Sequence, residues 1–203
     1  MIEERENIII EEGNNLFPVF LKLETLRLLI IGGGNVGLEK LIAVTENSPS
    51  TFIHLVSITI QDKIYELSKD ISNIIIEERA YTITDIEQAD IIIAAVNDIK
   101  ASEQIRHDAH QKGKLVNVAD KPELCDFYLS SIVKKGNLKI AISTNGKSPT
   151  IARRVKEVLN ETIPDEIDEL LNNMQNFRNK MSDDFAEKVK KLNELTRSLT
   201  EEN

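Results

Sequence analysis

Two short segments of the chain carry the residue types that chemistry would need. The first is a glycine-rich turn, Gly32-x-Gly34-x-x-Gly37, which directly follows a run of apolar residues typical of a buried strand. In this pattern the first glycine permits a tight turn, the second lets the backbone approach a pyrophosphate, and the third lets the next helix pack on its strand. The second segment ends in Asp120, whose carboxylate could accept a proton. Together they predict a dinucleotide site with an acid–base group beside it.

The elements that must position these segments can be read from the apolar pattern. Strand patterns lie at about 27–31, 51–58, 73–78, 90–96 and 114–118, and helical patterns near 35–47, 60–69 and 100–112. Strands that alternate with helices favour a parallel sheet with right-handed crossovers. We therefore predict a doubly wound, Rossmann-type α/β domain over residues 1–118.

In such a domain the ligand lies outside the carboxyl ends of the strands. The glycine loop, Ala95 at the end of the fourth strand and Asp120 after the fifth would meet at that edge. Asp120 could then take a proton as a hydride leaves the substrate for a bound nicotinamide. The alternative is that Asp120 only caps a turn before Lys121-Pro122, which is a common role of aspartate.

The end of the second strand lacks the acidic residue that usually binds the adenosine ribose. The segment Ser57-Ile58-Thr59 lies there instead, and Asp62 follows three residues later. Hydroxyl groups can still hydrogen-bond a ribose, but the residues themselves do not separate NAD from NADP.

The pattern changes after residue 118. Two apolar stretches, 127–133 and 137–143, flank Lys134-Lys-Gly136, which is typical of an antiparallel hairpin. A lone hairpin is marginally stable and needs a partner surface. We therefore predict a dimerisation and active-site region over 119–147, and a homodimer.

The remaining residues, 148–203, predict a helical domain. Ser148-Pro149 has the sequence of a helix start and predicts a helix to about residue 160, and Pro164 begins a second one. A third helix is predicted from apolar residues at helical spacing, namely Phe185, Val189, Leu192, Leu195 and Leu199.

Composition narrows the function classes. The net charge of −9 argues against a nucleic-acid partner, and no apolar run is long enough to span a bilayer. One cysteine and a glutamate-rich start favour the cytoplasm over secretion. Residues 121–156, however, carry eight basic and two acidic side chains, which indicates an anionic ligand or simply a solvated face. His107 and His110 are too few for a metal site, so no metal is predicted.

Four motifs in order resemble one family: the glycine loop with Asn35 and Val36, the Asn117–Asp120 segment, Phe127-Tyr-Leu-Ser-Ser131, and Ser143-Thr-Asn-Gly-Lys-Ser-Pro149. The chain resembles the precorrin-2 dehydrogenase/sirohydrochlorin ferrochelatase family, which forms the amino-terminal module of fused siroheme synthases. The resemblance implies NAD-dependent oxidation of precorrin-2 to sirohydrochlorin and, in many members, insertion of Fe²⁺ into that tetrapyrrole. It also implies a Rossmann domain, a central dimerisation region and a helical carboxyl-terminal domain.

The resemblance also assigns roles to single residues. The family's catalytic aspartate corresponds to Asp120. The family's cofactor contacts correspond to Asn35 and Val36 and to Ser57, Ile58 and Thr59 at the end of the second strand. The full set of expected cofactor contacts adds the residues that the loop pattern and the strand ends indicate, namely Gly32, Gly34, Gly37 and Ala95. A loop near the family's active site corresponds to the segment before the Ser-Pro helix start, and the tetrapyrrole carboxylates need cations and N–H donors there. The expected substrate contacts are Thr144, Asn145, Gly146, Lys147, Arg153 and Arg154.

Two other interpretations stay open at this point. A non-catalytic Rossmann sensor would bind a dinucleotide and report it through its dimer, with no need for Asp120 or a basic pocket. A methyltransferase would use the glycine loop for S-adenosylmethionine, although it would carry a different motif set. NADH formation from precorrin-2 and NAD distinguishes an oxidoreductase from both.

Overall fold

The computed structural model describes residues 13–180, together with residues 187, 189–191 and 193. The chain divides into two compact units, Met1–Leu129 and Ser130–Asn203. Within the described residues, no helix combines the length and the apolar character that crossing a membrane would require.

The first unit contains a five-stranded parallel sheet flanked by helices, as the sequence predicts. Its strands are β1 (Arg27–Gly33), β2 (Phe52–Ile60), β3 (Ile74–Glu78), β4 (Ile91–Ala94) and β5 (Leu115–Val118). Its helices are α1 (Asn35–Asn47), α2 (Asp62–Ser68), α3 (Ile83–Gln88) and α4 (Ile99–Gln111). The strand order is β3-β2-β1-β4-β5, and every pairing is parallel. The predicted Rossmann-type fold is therefore confirmed.

Two apolar cores lie on the two faces of this sheet. Successive strand residues point to opposite faces, so Leu28 and Ile30 of β1 enter one core while Leu29 and Ile31 enter the other. All four side chains are at most 3% exposed. Burial on both faces explains why β1 reads as a continuous apolar run rather than an alternating one.

Helix α3 is an element that the sequence patterns do not predict. It spans only six residues, which is too short to show helical periodicity. A capping box stabilises its start. The Thr82 N–H donates to Asp85 Oδ2 at 2.7 Å, and the Thr82 side chain accepts the backbone N–H of Asp85, the third helical residue. Polar capping, rather than an apolar stripe, therefore defines this helix.

The second unit begins with the predicted hairpin and continues with helices. Strands β6 (Ser131–Lys135) and β7 (Leu138–Ile142) pair antiparallel, and Gly136 lies in the turn with φ +56°. Helix α5 (Pro149–Thr162) packs against both strands, and helix α6 (Ile167–Lys180) follows. The Ser148 side chain accepts the Ile151 N–H at 3.2 Å, as expected of an N-cap.

The hairpin turn is fastened to the first turn of α6. Asp168 Oδ1 accepts the Asn137 backbone N–H at 2.6 Å and its side-chain amide at 2.8 Å. These hydrogen bonds lower the pKa of the Asp168 carboxyl. The third predicted helix, with Phe185, Leu192, Leu195 and Leu199, lies outside the described residues apart from Val189, which is helical.

Candidate active site

The glycine loop has two positions where a side chain cannot fit. Gly32 has φ +122°, and a Cβ there would lie 2.2 Å from the carbonyl oxygen of Ala95. A Cβ on Gly37 would lie 2.0 Å from the carbonyl oxygen of Gly32. The first glycine therefore lets β1 turn against the end of β4, and the last lets α1 pack against that turn.

Gly34 has the opposite environment. A Cβ on Gly34 would meet no atom of the described residues within 4 Å, so this side of the loop faces open space. Gly34 is also the N-cap of α1, and no side chain of the described residues caps the helix. The N–H groups of the first helical turn, which starts with Asn35 and Val36, have no partner within the helix, and the helix dipole favours an anion there. The loop therefore fits a dinucleotide pyrophosphate.

The sheet order brings three of the predicted segments to one edge. Strands β2 and β3 lie on one side of β1, whereas β4 and β5 lie on the other, so the strand order changes sides between β1 and β4. Ligands of such sheets bind in the crevice at this point. The Ala95 N–H donates to the carbonyl of Ile31 at 2.7 Å, and the Ala119 N–H donates to the carbonyl of Ala94 at 2.9 Å. The glycine loop, Ala95 and the Asp120 turn therefore lie side by side along the carboxyl edge of β1, β4 and β5.

The end of β2 also reaches the glycine loop. The Gln61 N–H donates to the carbonyl of Gly33 at 3.0 Å, and a Cβ on Gly33 would lie 2.6 Å from the carbonyl oxygen of Thr59. Ser57 is half-buried, whereas Thr59 is exposed and Ile58 is 73% exposed. The structure thus places this trio beside the loop, with side chains accessible to a ligand.

An acidic residue lies next to this trio on the neighbouring strand. Glu78 ends β3 and pairs in register with Ser57, and its Oε2 accepts the Tyr65 hydroxyl at 3.1 Å. Sequence reasoning missed this residue, because it expects the ribose-binding acid only at the end of β2. The sequence does contain a sign of this residue, since the third strand pattern, 73–78, also ends in glutamate.

Asp120 adopts a backbone conformation that few residues other than glycine tolerate. Its φ is +59°, and it lies at the third position of a turn closed by a 3.2 Å hydrogen bond from the Lys121 N–H to the carbonyl of Val118. Turns with positive φ at this position favour glycine or asparagine, and such strain is concentrated at functional sites. The Asp120 carboxylate accepts no hydrogen bond from the described residues, so it does not cap the turn there.

Lys121 ties the Asp120 turn to the neighbouring strand end. Its Nζ donates to the carbonyl of Val96, just past β4, at 3.3 Å. The ammonium group is thus placed beside the end of β4, and Lys121 directly follows Asp120 in the chain. In the sequence, Lys121 is recognisable as the first basic residue of the 121–156 stretch, but its contact with Val96 is not.

In the second unit, the predicted substrate loop has a compact, internally bonded shape. Asn145 and Gly146 have φ values of +54° and +73°, and the Lys147 N–H donates to the carbonyl of Thr144 at 3.0 Å. The Thr144 hydroxyl accepts the Ser148 N–H at 3.2 Å and lies 3.1 Å from the Ser148 carbonyl. The hydroxyl of Thr144 therefore holds the loop together.

The two predicted arginines lie on α5, and both are paired. Arg153 Nε lies 3.3 Å and Arg154 Nη1 lies 2.6 Å from the carboxylate of Glu157. The hydrogen bond from Arg154 is the largest cause of the lowered pKa of the Glu157 carboxyl. Both arginines are more than 70% exposed, and exposed pairs contribute at most about 1 kcal/mol. An anionic ligand could therefore compete for them at little cost.

One cluster in the first unit has the composition of a metal site but a different role. His54, Glu77 and Asp85 place their polar atoms within 4.8 Å of one another. The guanidinium of Arg79, however, pairs with Glu77 and bonds Asp85 at 2.7 and 2.8 Å, which lowers the pKa of Asp85 to about 2. The cation position is thus taken by Arg79. His107 and His110 are bonded to Gln111 and Asp126 instead.

Comparisons with known proteins agree with this geometry. The family model described as putative NAD(P)-binding matches residues 19–131, and the model of the sirohaem biosynthesis protein central domain matches residues 135–161. Siroheme synthase of Psychrobacter cryohalolentis is 38% identical over 150 residues, which are 74% of this chain and 28% of that protein. Siroheme synthase of Ruthia magnifica is 30% identical over 173 residues, which are 85% of this chain and 36% of that protein.

The chain spans about a third of the length of these curated relatives. The solved structure of SirC, precorrin-2 dehydrogenase, has a TM-score of 0.70 and 21% identity, and the match covers 89% of both chains. At that identity it supports the shared fold. Because the first model matches more than half of its residues, the chain belongs to the family described as putative NAD(P)-binding, and the sirohaem biosynthesis central domain follows it in order.

Proposed function

We propose that the protein is an NAD-dependent dehydrogenase that oxidises precorrin-2 to sirohydrochlorin in siroheme biosynthesis. The observation that carries this proposal is the position of Asp120. A turn with positive φ places the Asp120 backbone at the carboxyl edge of the sheet, along which the glycine loop leaves room for a pyrophosphate. The names of the relatives, siroheme synthase and precorrin-2 dehydrogenase, supply the substrate class.

The reaction removes one hydride and one proton from the tetrapyrrole. A bound NAD would supply the hydride acceptor. Gly32, Gly34 and Gly37, with Asn35, Val36 and Ala95, would hold the dinucleotide, and the end of β2 would contact its adenosine. Asp120 would take the proton as general base.

The contacts to substrate carboxylates are proposed for the second unit. The loop of Thr144, Asn145, Gly146 and Lys147 precedes the amino terminus of α5, and Arg153 and Arg154 follow in its first turns. Cations and helix N–H groups bind carboxylates well. The internal hydrogen bonds of Thr144 give it a supporting role, whereas Lys147 and the two arginines supply charge.

We propose a homodimer formed through the second unit. The outer side of α5 carries Ile151, Val155 and Val158 at helical spacing, which are 54%, 40% and 59% exposed. A small unit built on a two-stranded hairpin gains stability by burying such a stripe. Sedimentation equilibrium at micromolar concentration should give a dimer, and a monomer would exclude this arrangement.

The proposal has three further parts: the roles of the regions, the location and a second activity. Residues 1–118 would form the cofactor domain, residues 119–147 would contribute to dimerisation and the active site, and residues 148–203 would form the helical domain, whose helix α5 adds to the dimer interface. The single cysteine fits a cytoplasmic location. Fe²⁺ would be a second substrate if Asp120 also takes protons from the pyrrole nitrogens during metal insertion. Anaerobic incubation of sirohydrochlorin with Fe²⁺, comparing the wild type with Asp120→Ala, tests that activity.

The decisive experiment is NADH formation from NAD and precorrin-2. The wild type should produce NADH. Asp120→Asn replaces the carboxylate by an amide of the same size, and asparagine also tolerates positive φ. This variant should lose turnover but bind NAD like the wild type. Turnover by Asp120→Asn at the wild-type rate would remove Asp120 from its role. Absence of turnover in the wild type, with intact NAD binding, would favour the non-catalytic dinucleotide sensor.

A further inference from the structure

The segment after β5 folds around the thiol of Cys125, the single cysteine of the chain. Cys125 follows a short 3₁₀ turn over Pro122–Leu124, which brings the chain back toward β5. The thiol is half-buried. It therefore lies inside the loop that carries Asp120.

The sulfur contacts the backbone on both sides of Asp120. The Val118 N–H donates to Sγ at 3.2 Å, and Sγ lies 3.1 Å from the Val118 carbonyl and 3.4 Å from the Lys121 carbonyl. Val118 and Lys121 are the first and last residues of the turn in which Asp120 has φ +59°. One side chain thus bonds both ends of the strained turn.

A neutral thiol is required for this arrangement, because only S–H can donate to a carbonyl. Burial raises the pKa of the Cys125 thiol, which keeps the proton on sulfur near neutral pH. The thiol therefore acts here as a hydrogen-bonding group rather than a nucleophile.

Asn117 adds a second fastening to the same loop. Its side-chain amide donates to the carbonyl of Phe127 at 2.8 Å and lies 3.5 Å from Sγ. It closes the base of the loop, whereas the thiol contacts the turn itself. Cys125 is therefore the side chain best placed to determine where the Asp120 carboxylate lies.

We propose that Cys125 is a positioning residue for the proton-transfer step: its thiol holds the Val118–Lys121 turn, so that Asp120 faces the crevice. This proposal rests on the proposed function of Asp120 as general base. A displacement of about 1 Å in a catalytic group can cost about 100-fold in rate. Loss of the thiol should therefore lower kcat more than it changes binding of either ligand.

The test compares Cys125→Ala with Cys125→Ser, which keeps a donor and an acceptor at the same position. We expect Cys125→Ala to lower kcat by about 10- to 100-fold, with the NAD Kd and the KM for precorrin-2 changed less than about twofold. Cys125→Ser should recover a large part of kcat. Asp85→Ala, in the Arg79 cluster, serves as a control for loss of stability, because it should lower Tm without lowering kcat.

A second measurement needs no substrate and separates this proposal from the proposed function. Amide hydrogen exchange of Val118 and Lys121 should be faster in Cys125→Ala than in the wild type and in Cys125→Ser. If the wild type is inactive but exchange in the turn rises, the proposed function fails and the thiol still holds the turn. Unchanged exchange, or a Cys125→Ala kcat equal to that of the wild type, overturns the proposal.

Discussion

Gly34→Ala should separate cofactor binding from stability. Gly34 has φ −84° and ψ −165°, an extended conformation that alanine adopts without strain, and its Cβ would meet no atom of the described residues within 4 Å. Replacing such a glycine by alanine stabilises the folded protein by about 0.4–1 kcal/mol, because it reduces the conformational entropy of the unfolded chain. Alanine is, however, a poorer N-cap than glycine by a similar amount, about 0.5–1 kcal/mol.

These two effects nearly cancel. We therefore expect the free energy of unfolding of Gly34→Ala to stay within about 0.5 kcal/mol of the wild type, a Tm change of about 2 °C or less. NAD should nevertheless bind more weakly, because the new methyl group occupies the space left for the pyrophosphate. A tenfold rise in Kd corresponds to about 1.4 kcal/mol, and we expect at least that.

Gly37→Ala is the matched control. Its Cβ would lie 2.0 Å from the Gly32 carbonyl oxygen, so the helix must move from its strand. Overpacking of this kind costs about 1–3 kcal/mol, and Tm should fall by several degrees. Thermal unfolding without ligand and calorimetric titration with NAD measure the two quantities. If Gly34→Ala bound NAD like the wild type, the loop would not hold the pyrophosphate as described.

Two further predictions concern stability. In the second unit, Gly136→Ala should lower stability by about 1–2 kcal/mol, because φ is +56° and the new Cβ would lie 2.1 Å from Asp168 Cγ; a Tm equal to that of the wild type in thermal unfolding would contradict this. In the first unit, Arg79 lowers the pKa of Asp85 to about 2, so this carboxylate contributes stability above its unfolded value near 4 and loses it as the pH falls toward 2. Asp85→Asn should remove up to about 2 kcal/mol at neutral pH and flatten the pH dependence between about 4 and 2, measured by urea unfolding.

Much of the fold could be predicted because the central strands β1 and β4 are buried on both faces. Continuous isoleucine runs such as residues 91–93 predict a central strand of a parallel sheet. Helix α3 could not be predicted from periodicity, since six residues show too little of it. The hairpin was readable from Gly136, whose positive φ matches its place between two apolar stretches.

Part of the candidate site could likewise be predicted from the sequence, and part could not. The glycine loop and Asp120 stand out by residue type, but neither the positive φ of Asp120 nor the role of Cys125 has a sequence signature. Both depend on how residues 118–125 fold back on themselves. The pairing of the two arginines with Glu157 was accessible from helical spacing, yet only the structure shows that one carboxylate serves both.

The floor of the crevice is main chain rather than side chain. Glycines meet the carbonyl of Ala95 and the carbonyl of Gly32, and the proposed anion contacts are helix amides. Such a surface keeps its shape and its hydrogen-bonding groups when neighbouring side chains are substituted, provided that the glycines remain. The proposed substrate contacts are, in contrast, exposed lysine and arginine side chains that single substitutions can exchange. A duplicated copy of this protein could therefore acquire a new substrate while its dinucleotide site stayed the same.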